Sequence, residues 1–354
     1  MSRRFFLGKL LTAFSTHWFA IFASVFGILL LLCSLSWHSV LVTGAPIFMD
    51  TDLSTEAIVG KRQESADPCH QSRKSMDYWL VDLHRLSDAK GQKSQGAQDM
   101  YFERIFAYTG TTNRYFVEFG FNEPSYTSGG SGANTWNLYD SGWRGLLLDG
   151  SRENTEINLH AHYLFEGNIA SVLGKYEVPK DFDLLSCDMD SHDIFVLGRI
   201  LKSGYRPRVF TTEYNSNYPL EYAITLIDPT IIGADVSAYN FEFKNCAWGA
   251  SASALRTVAE KFGYTLVGRV GLLDLVWLRN DLIKEDWEVP AFEWFFKDAP
   301  LGHLLNGKQT SDDIFEYLVD FDVLEKTGSV QKAKEAARVK LEPSGLACFN
   351  FSPL

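Results

Sequence analysis

Two short apolar runs, one opening and one closing residues 115–149, each stop at a glycine or a carboxylate. The first reads Tyr115-Phe116-Val117-Glu118-Phe119-Gly120 and the second Gly145-Leu146-Leu147-Leu148-Asp149-Gly150. Continuous β-rich runs of this kind predict strands buried on both faces, and the loop and helix-like sequence between them completes a β-α-β unit. The same alternation continues downstream. Apolar runs predict strands over 166–172, 183–188 and 207–213, with a closing pair over 264–270 and 274–279. Helical spacing predicts helices over 76–86, 99–107, 134–139, 153–163, 194–203 and 250–262. Strands alternating with helices predict an α/β fold, a Rossmann-like, doubly wound and mostly parallel sheet. After residue 281 the pattern weakens to two aromatic-rich or charged helices and a tail.

The N-terminus is patterned differently. From Leu10 to Phe48 there is no Lys, Arg, Asp or Glu, and residues 18–37 are almost wholly apolar between Trp18 and Trp37. About twenty such residues suffice to cross a bilayer as a helix. Arg3, Arg4 and Lys9 precede the run, while Asp50, Asp52 and Glu56 follow it. By the positive-inside rule this predicts a single-pass type II membrane protein, with its C-terminal domain in the lumen of the Golgi or endoplasmic reticulum. The expected organisation is a cytoplasmic tail (1–17), a transmembrane signal anchor (18–37), a stem (38–75), an α/β domain (76–281) and a C-terminal helical extension (282–354).

Charge and cysteines narrow the picture further. The 354 residues carry a formal net charge of −11, and no basic tract follows the N-terminus. Nucleic acid is excluded as an expected partner, because binding it depends on neutralising phosphates. Of five cysteines, Cys187 sits within an apolar strand and reads as a buried thiol. Cys69 and Cys348 flank the exported region, but disulfide connectivity cannot be read from spacing.

The candidate chemistry lies at the strand ends, where ligands bind in open parallel sheets. Gly120 lets a backbone approach a ligand closely, and an acid ending the second strand, Asp149, accepts hydrogen bonds from ribose hydroxyls. Together they read as a nucleoside-cofactor site. Asp188 and Glu213 also end strands. With Asn215 they offer oxygen ligands for a hard divalent cation such as Mg2+. Asp190 or His192 could act as general base. The plainer reading of any one of these acids is that it caps the helix that follows.

The motif Phe116-Val117-Glu118-Phe119-Gly120 resembles the glycine motif of FkbM-type, class I S-adenosylmethionine-dependent methyltransferases. The resemblance extends through Asn134-Thr135-Trp136, Leu148-Asp149-Gly150, Asp188-Met189-Asp190 and Glu213-Tyr214-Asn215, covering roughly residues 94–281. It implies S-adenosylmethionine as cofactor, held by Glu118, Gly120, Asn134, Thr135, Asp149 and Gly150. It also implies Asp188 beside the methyl donor and acceptor, next to Asp190 and His192, the alternative general bases read from the residues themselves. The family pattern continues to further glycines, whereas here Phe121-Asn122-Glu123-Pro124 follows and Gly129-Gly130-Ser131-Gly132 lies downstream.

Two functions follow as expectations. The first is an O-methyltransferase of the secretory pathway, acting on a glycan or another hydroxyl-bearing acceptor. The second is a methyltransferase-like protein without catalysis that binds or escorts protein cargo, a reading that the altered glycine motif favours.

Overall fold

Strands covered on both faces are buried along most of their length, and the central strands here follow that rule. The computed structural model describes residues 78–128, 133–234, 247–299, 312–344 and 346. In chain order its elements begin with α1 (Tyr78–Arg85), α2 (Gln98–Thr109), β1 (Tyr115–Phe119), α3 (Trp136–Asp140), β2 (Arg144–Asp149) and β3 (Leu159–Ala161). They continue with α4 (Ile169–Lys175), β4 (Leu184–Cys187), α5 (Asp193–Lys202), β5 (Val209–Glu213), β6 (Ile224–Leu226) and α6 (Pro229–Ile232). The last are α7 (Ala252–Lys261), β7 (Tyr264–Val270), β8 (Asp274–Arg279), β9 (Leu318–Asp320), α8 (Phe321–Thr327) and α9 (Val330–Leu341).

Seven strands form one sheet in the order β3-β2-β1-β4-β5-β8-β7. From β3 to β5 every pairing is parallel, whereas β8 runs antiparallel to both of its neighbours. The chain lays β2 and β3 on one side of β1, then crosses back to place β4 on the other. That reversal is the topological switch point, where doubly wound sheets open a crevice beyond their carboxyl ends.

Side-chain alternation divides the core into two layers. Val117, Phe119, Leu146, Leu148, Leu185 and Phe210 join one layer with residues of α4, α5 and α7. Phe116, Leu147, Leu184 and Val209 join the other with residues of α1, α2 and α3. The C-terminal segment is stitched into the same body: β9 pairs antiparallel with β6, and α9 packs against β9.

The expected fold class needs one correction, because it included a transmembrane helix. No helix of the described residues is long and apolar enough to cross a membrane. The longest, α2 and α9, have 12 residues each, a rise of about 18 Å against the roughly 30 Å of a bilayer core. The apolar run 18–37 lies outside the described residues, as do Cys69 and Cys348.

The expected helix over 153–163 and strand over 166–172 are also corrected, because their types are exchanged. Asn154 caps a single turn by accepting from the Glu156 amide, and Asn158 ends that turn at φ 57°. The following Leu159-His160-Ala161 is a three-residue strand paired with β2, and its Leu159 also exchanges two backbone hydrogen bonds with Asn154. Ile169, Val172 and Leu173 then fall at helical spacing and are buried together.

Candidate functional site

Glu118, Ser186 and Thr211 stand in register across β1, β4 and β5 and form a polar row on the α2 side of the sheet. Glu118 is almost completely buried. Its Oε1 accepts from the Asn134 amide at 2.8 Å, and its Oε2 accepts from the Thr135 amide at 3.1 Å and from the Thr135 hydroxyl. Asn134 Nδ2 donates to Ser186 Oγ at 3.1 Å, and Tyr126 shares a hydrogen bond with the Thr135 hydroxyl. Burial pushes the Glu118 carboxyl up to about 7, against the pull of these donors. The predicted cofactor ligands Glu118, Asn134 and Thr135 are thus brought together, turned largely on one another.

One step further along the strands lies the edge itself. Gly120 has φ +73°, and a Cβ there would stand 2.0 Å from the Asp188 carbonyl oxygen. The glycine is therefore demanded by the close approach of the β1 and β4 ends, as well as by its left-handed backbone. At the end of β2, Asp149 Oδ1 accepts from the Ser151 amide and hydroxyl and from the Arg152 amide. These bonds turn the loop through Gly150 and gather on one oxygen, so Oδ2 is the acceptor left for a ligand. The altered glycine segment is anchored rather than loose: Phe121 is buried against Tyr126, and Asn154 Nδ2 donates to the Pro124 carbonyl at 2.9 Å. Gly129 to Gly132 lie outside the described residues.

Beyond β4 and β5, ligand atoms of Asp188, Asp190 and Glu213 all lie within 4.8 Å of one another. The Asp188 carboxyl faces that of Glu213, and Glu213 Oε2 is buried without a donor. Burial pushes both well above the usual carboxylate range. Asp274 reinforces the shift at Asp188, and Asp188 reinforces it at Glu213. Two facing, half-buried carboxyls need a shared proton or a cation between them, so this donor set fits a hard divalent ion. Asp190 holds its place with φ +59°, a conformation that Asp tolerates better than most residues.

The other predicted site residues lie elsewhere. His192 is buried, with Nε2 donating to the Leu164 carbonyl at 2.9 Å, Nδ1 3.1 Å from the Ser191 hydroxyl and its ring stacked on Phe165. Asn215 directs its amide to the Trp248 carbonyl and accepts from the Asn217 amide, securing the turn after β5. Asp193 accepts from the Met189 and Ser191 amides and shapes the loop that carries Asp190.

Sequence reasoning missed Asp274. It is Glu213's partner across β5 and β8, buried and hydrogen-bonded by Gln98 at 2.5 Å. Burial raises its carboxyl to about 6. The available signal was an acid within the run Leu272-Leu273-Asp274-Leu275-Val276.

These features define a doubly wound α/β protein with an acidic carboxyl edge. Comparison with known protein families returns no match, and no curated protein matches the sequence. Among solved structures the chain is similar to an O-methyltransferase family protein from Burkholderia thailandensis, with 11% identity and a TM-score of 0.30. That similarity covers 59% of this chain and 61% of the other, so the chain spans about three-fifths of that protein's length. A likeness of this degree says nothing of reaction, acceptor or compartment.

Proposed function

We propose that the protein is an S-adenosylmethionine-dependent O-methyltransferase of FkbM-like type. The observation that carries this reading is the juxtaposition at the switch point. Gly120 lies against Asp188, Asp149 presents Oδ2 on the neighbouring strand, and a carboxyl cluster sits on the other side. A nucleoside cofactor spanning β1 and β2 would direct its reactive end towards β4.

When bound, S-adenosylmethionine supplies an electrophilic methyl group. Asp149 would hold the ribose hydroxyls beside Gly120 and Gly150, whose side-chain space is taken by the Asp188 carbonyl and the Tyr163 ring. Burial leaves the Asp188 carboxylate a stronger base than a solvated one. It is therefore suited to take the proton of an acceptor hydroxyl as the oxygen–methyl bond forms and the carbon–sulfur bond breaks. Glu118 acts beneath the surface by holding the Asn134–Thr135 turn. In the alternative in which Asp188, Asp190 and Glu213 hold a magnesium ion, the ion would neutralise the cluster and lower the pKa of a bound hydroxyl, and Asp188 would act as a ligand rather than as the base. Holding donor and acceptor in line supplies much of the remaining acceleration.

The mutual satisfaction of Glu118, Asn134 and Thr135 favours a second reading, a non-catalytic binding protein. Calorimetric titration of S-adenosylmethionine into the protein, wild type beside Asp149→Ala, separates the two. Micromolar binding lost in the variant supports the enzyme. A folded wild type that binds nothing, with or without magnesium, sinks it and redirects attention to protein partners.

A further inference from the structure

Where β3 runs out, directly beside the end of β2, stands the ring of Tyr163. Asp149 pairs with Ala161 across the two strands, and the His162 amide donates to the Asp149 carbonyl at 2.7 Å. Tyr163 follows at once. Its own carbonyl accepts from Asn168 Nδ2 at 2.7 Å, and Asn168 Oδ1 accepts from the Phe165 amide at 2.8 Å. Leu164, between them, is buried. The backbone that carries the ring is therefore pinned on both sides.

The side chain turns one face inward. A Cβ at Gly150 would stand 3.1 Å from Tyr163 Cε1 and 3.5 Å from both Cδ1 and Cζ. Three neighbouring ring atoms at nearly equal distances mean that the ring lies over the glycine with its face, not its edge. Tyr163 is nonetheless 66% exposed, so its opposite face is open. A lone exposed aromatic is ordinary on a protein surface. This one adjoins Asp149, whose Oδ1 is taken up by the Ser151 and Arg152 amides while Oδ2 remains an acceptor.

Those two groups suit one ligand between them. A carboxylate oxygen accepts from the hydroxyls of a diol, and an open aromatic face attracts a second flat ring. The ends of β2 and β3 lie about 5 Å apart. In a nucleoside a single bond joins the sugar that carries the diol to the flat base, so one molecule reaches both groups. The ring is also held before any ligand arrives, which spares part of the ordering cost of binding.

We infer that Tyr163 is the platform on which the base of a nucleoside ligand stacks while Asp149 holds its ribose. That the ligand is a nucleoside rests on the methyltransferase reading; that Tyr163 is the platform rests on its place over Gly150. Stacking belongs to the ring face, so phenylalanine should serve in its place and an aliphatic side chain should not. Calorimetry and saturation-transfer NMR on the full chain, with adenosine and S-adenosylmethionine as separate probes, compare wild type with Tyr163→Phe, Tyr163→Leu, Tyr163→Ala and Asp149→Ala. Substitution of so exposed a side chain should leave the fold intact, which circular dichroism checks; Leu also keeps bulk over Gly150 should the alanine variant not fold.

The expected result is strong saturation of the base protons of adenosine in wild type. Affinity for both probes should fall about tenfold or more in Tyr163→Leu and Tyr163→Ala, and Tyr163→Phe should match wild type. Adenosine binding that is lost in Asp149→Ala but unchanged in the folded aliphatic variants overturns this inference and leaves the methyltransferase reading standing. An equal loss in Tyr163→Phe does the same, because it assigns the effect to the hydroxyl. Preference for methyl α-glucoside over adenosine, abolished in Tyr163→Leu, would make the ring a sugar platform and overturn the assignment to a base. A folded wild type that binds neither adenosine nor S-adenosylmethionine overturns both readings together.

Discussion

Glu118 accepts both the amide and the hydroxyl of Thr135 through one carboxylate oxygen, beneath the turn that Asn134 and Thr135 form. Burial raises this carboxyl from 4.5 to about 7, so the folded protein holds its proton over a range where the unfolded chain has lost it. Stability from this group is therefore fully present below about pH 4.5 and falls as pH rises through 7, by about 3 kcal/mol in all. Glu118→Gln cannot lose a proton, and it offers one acceptor oxygen where the native carboxylate offers two. Relative to wild type, Glu118→Gln is expected to be less stable at pH 5, with the deficit shrinking or reversing at pH 8. Urea unfolding of both proteins across that range checks this, and a pH-independent difference would refute it.

Gly120 makes a sharper structural claim. A side chain there meets a left-handed backbone and the Asp188 carbonyl at 2.0 Å. Gly120→Ala should destabilise the protein by about 3 kcal/mol or more, combining roughly 1–2 kcal/mol of backbone strain with displacement of the β4 end. Cofactor affinity should fall with it. Thermal unfolding within a degree of wild type would show that β1 and β4 do not approach so closely.

The carboxyl pair gives a prediction about metal. Asp188 and Glu213 are both raised by burial, reinforced by other acids, so their contribution to stability is lost as pH rises through the folded values. Glu213→Gln removes one of the two charges and should stabilise the metal-free protein at pH 8 by about 1–2 kcal/mol. Magnesium should stabilise wild type, by about 2.7 kcal/mol at a hundred times its dissociation constant, and chelation should reverse the gain. Calorimetric melting with and without magnesium tests both halves; a wild type indifferent to the ion would remove the metal from the proposal.

The sequence made these strand ends legible because an acid closing an apolar run is a local signal. Asp188 and Glu213 each stand directly after or at the end of such a run. Asp274 was not legible as a site residue, since its place opposite Glu213 depends on the antiparallel register of β8. The exchange of types over 153–172 has a similar origin. A three-residue edge strand is too short to show a period of two, and the neighbouring turn rests on Asn154 and Asn158. Nor does anything near His192 reveal that Phe165, 27 positions earlier in the sequence, stacks on its ring.

That contact separates two residues that the sequence placed in one catalytic role. His192 is buried, with Nε2 donating to the Leu164 carbonyl and its ring parallel to Phe165 at 5.3 Å. Removing it leaves a carbonyl without its donor and a gap beside the ring, so His192→Ala should cost about 2–4 kcal/mol. Asp190 is exposed at φ +59°, a conformation that Asn adopts equally well, so Asp190→Asn should change stability by no more than about 0.5 kcal/mol. If Asp190 assists proton removal from the acceptor, that variant should nonetheless lose about a hundredfold in kcat. Urea midpoints and methyl-transfer rates measured on both variants decide the matter. A stable His192→Ala with lost activity would return the histidine to catalysis, whereas a fully active Asp190→Asn would leave Asp188 as the base.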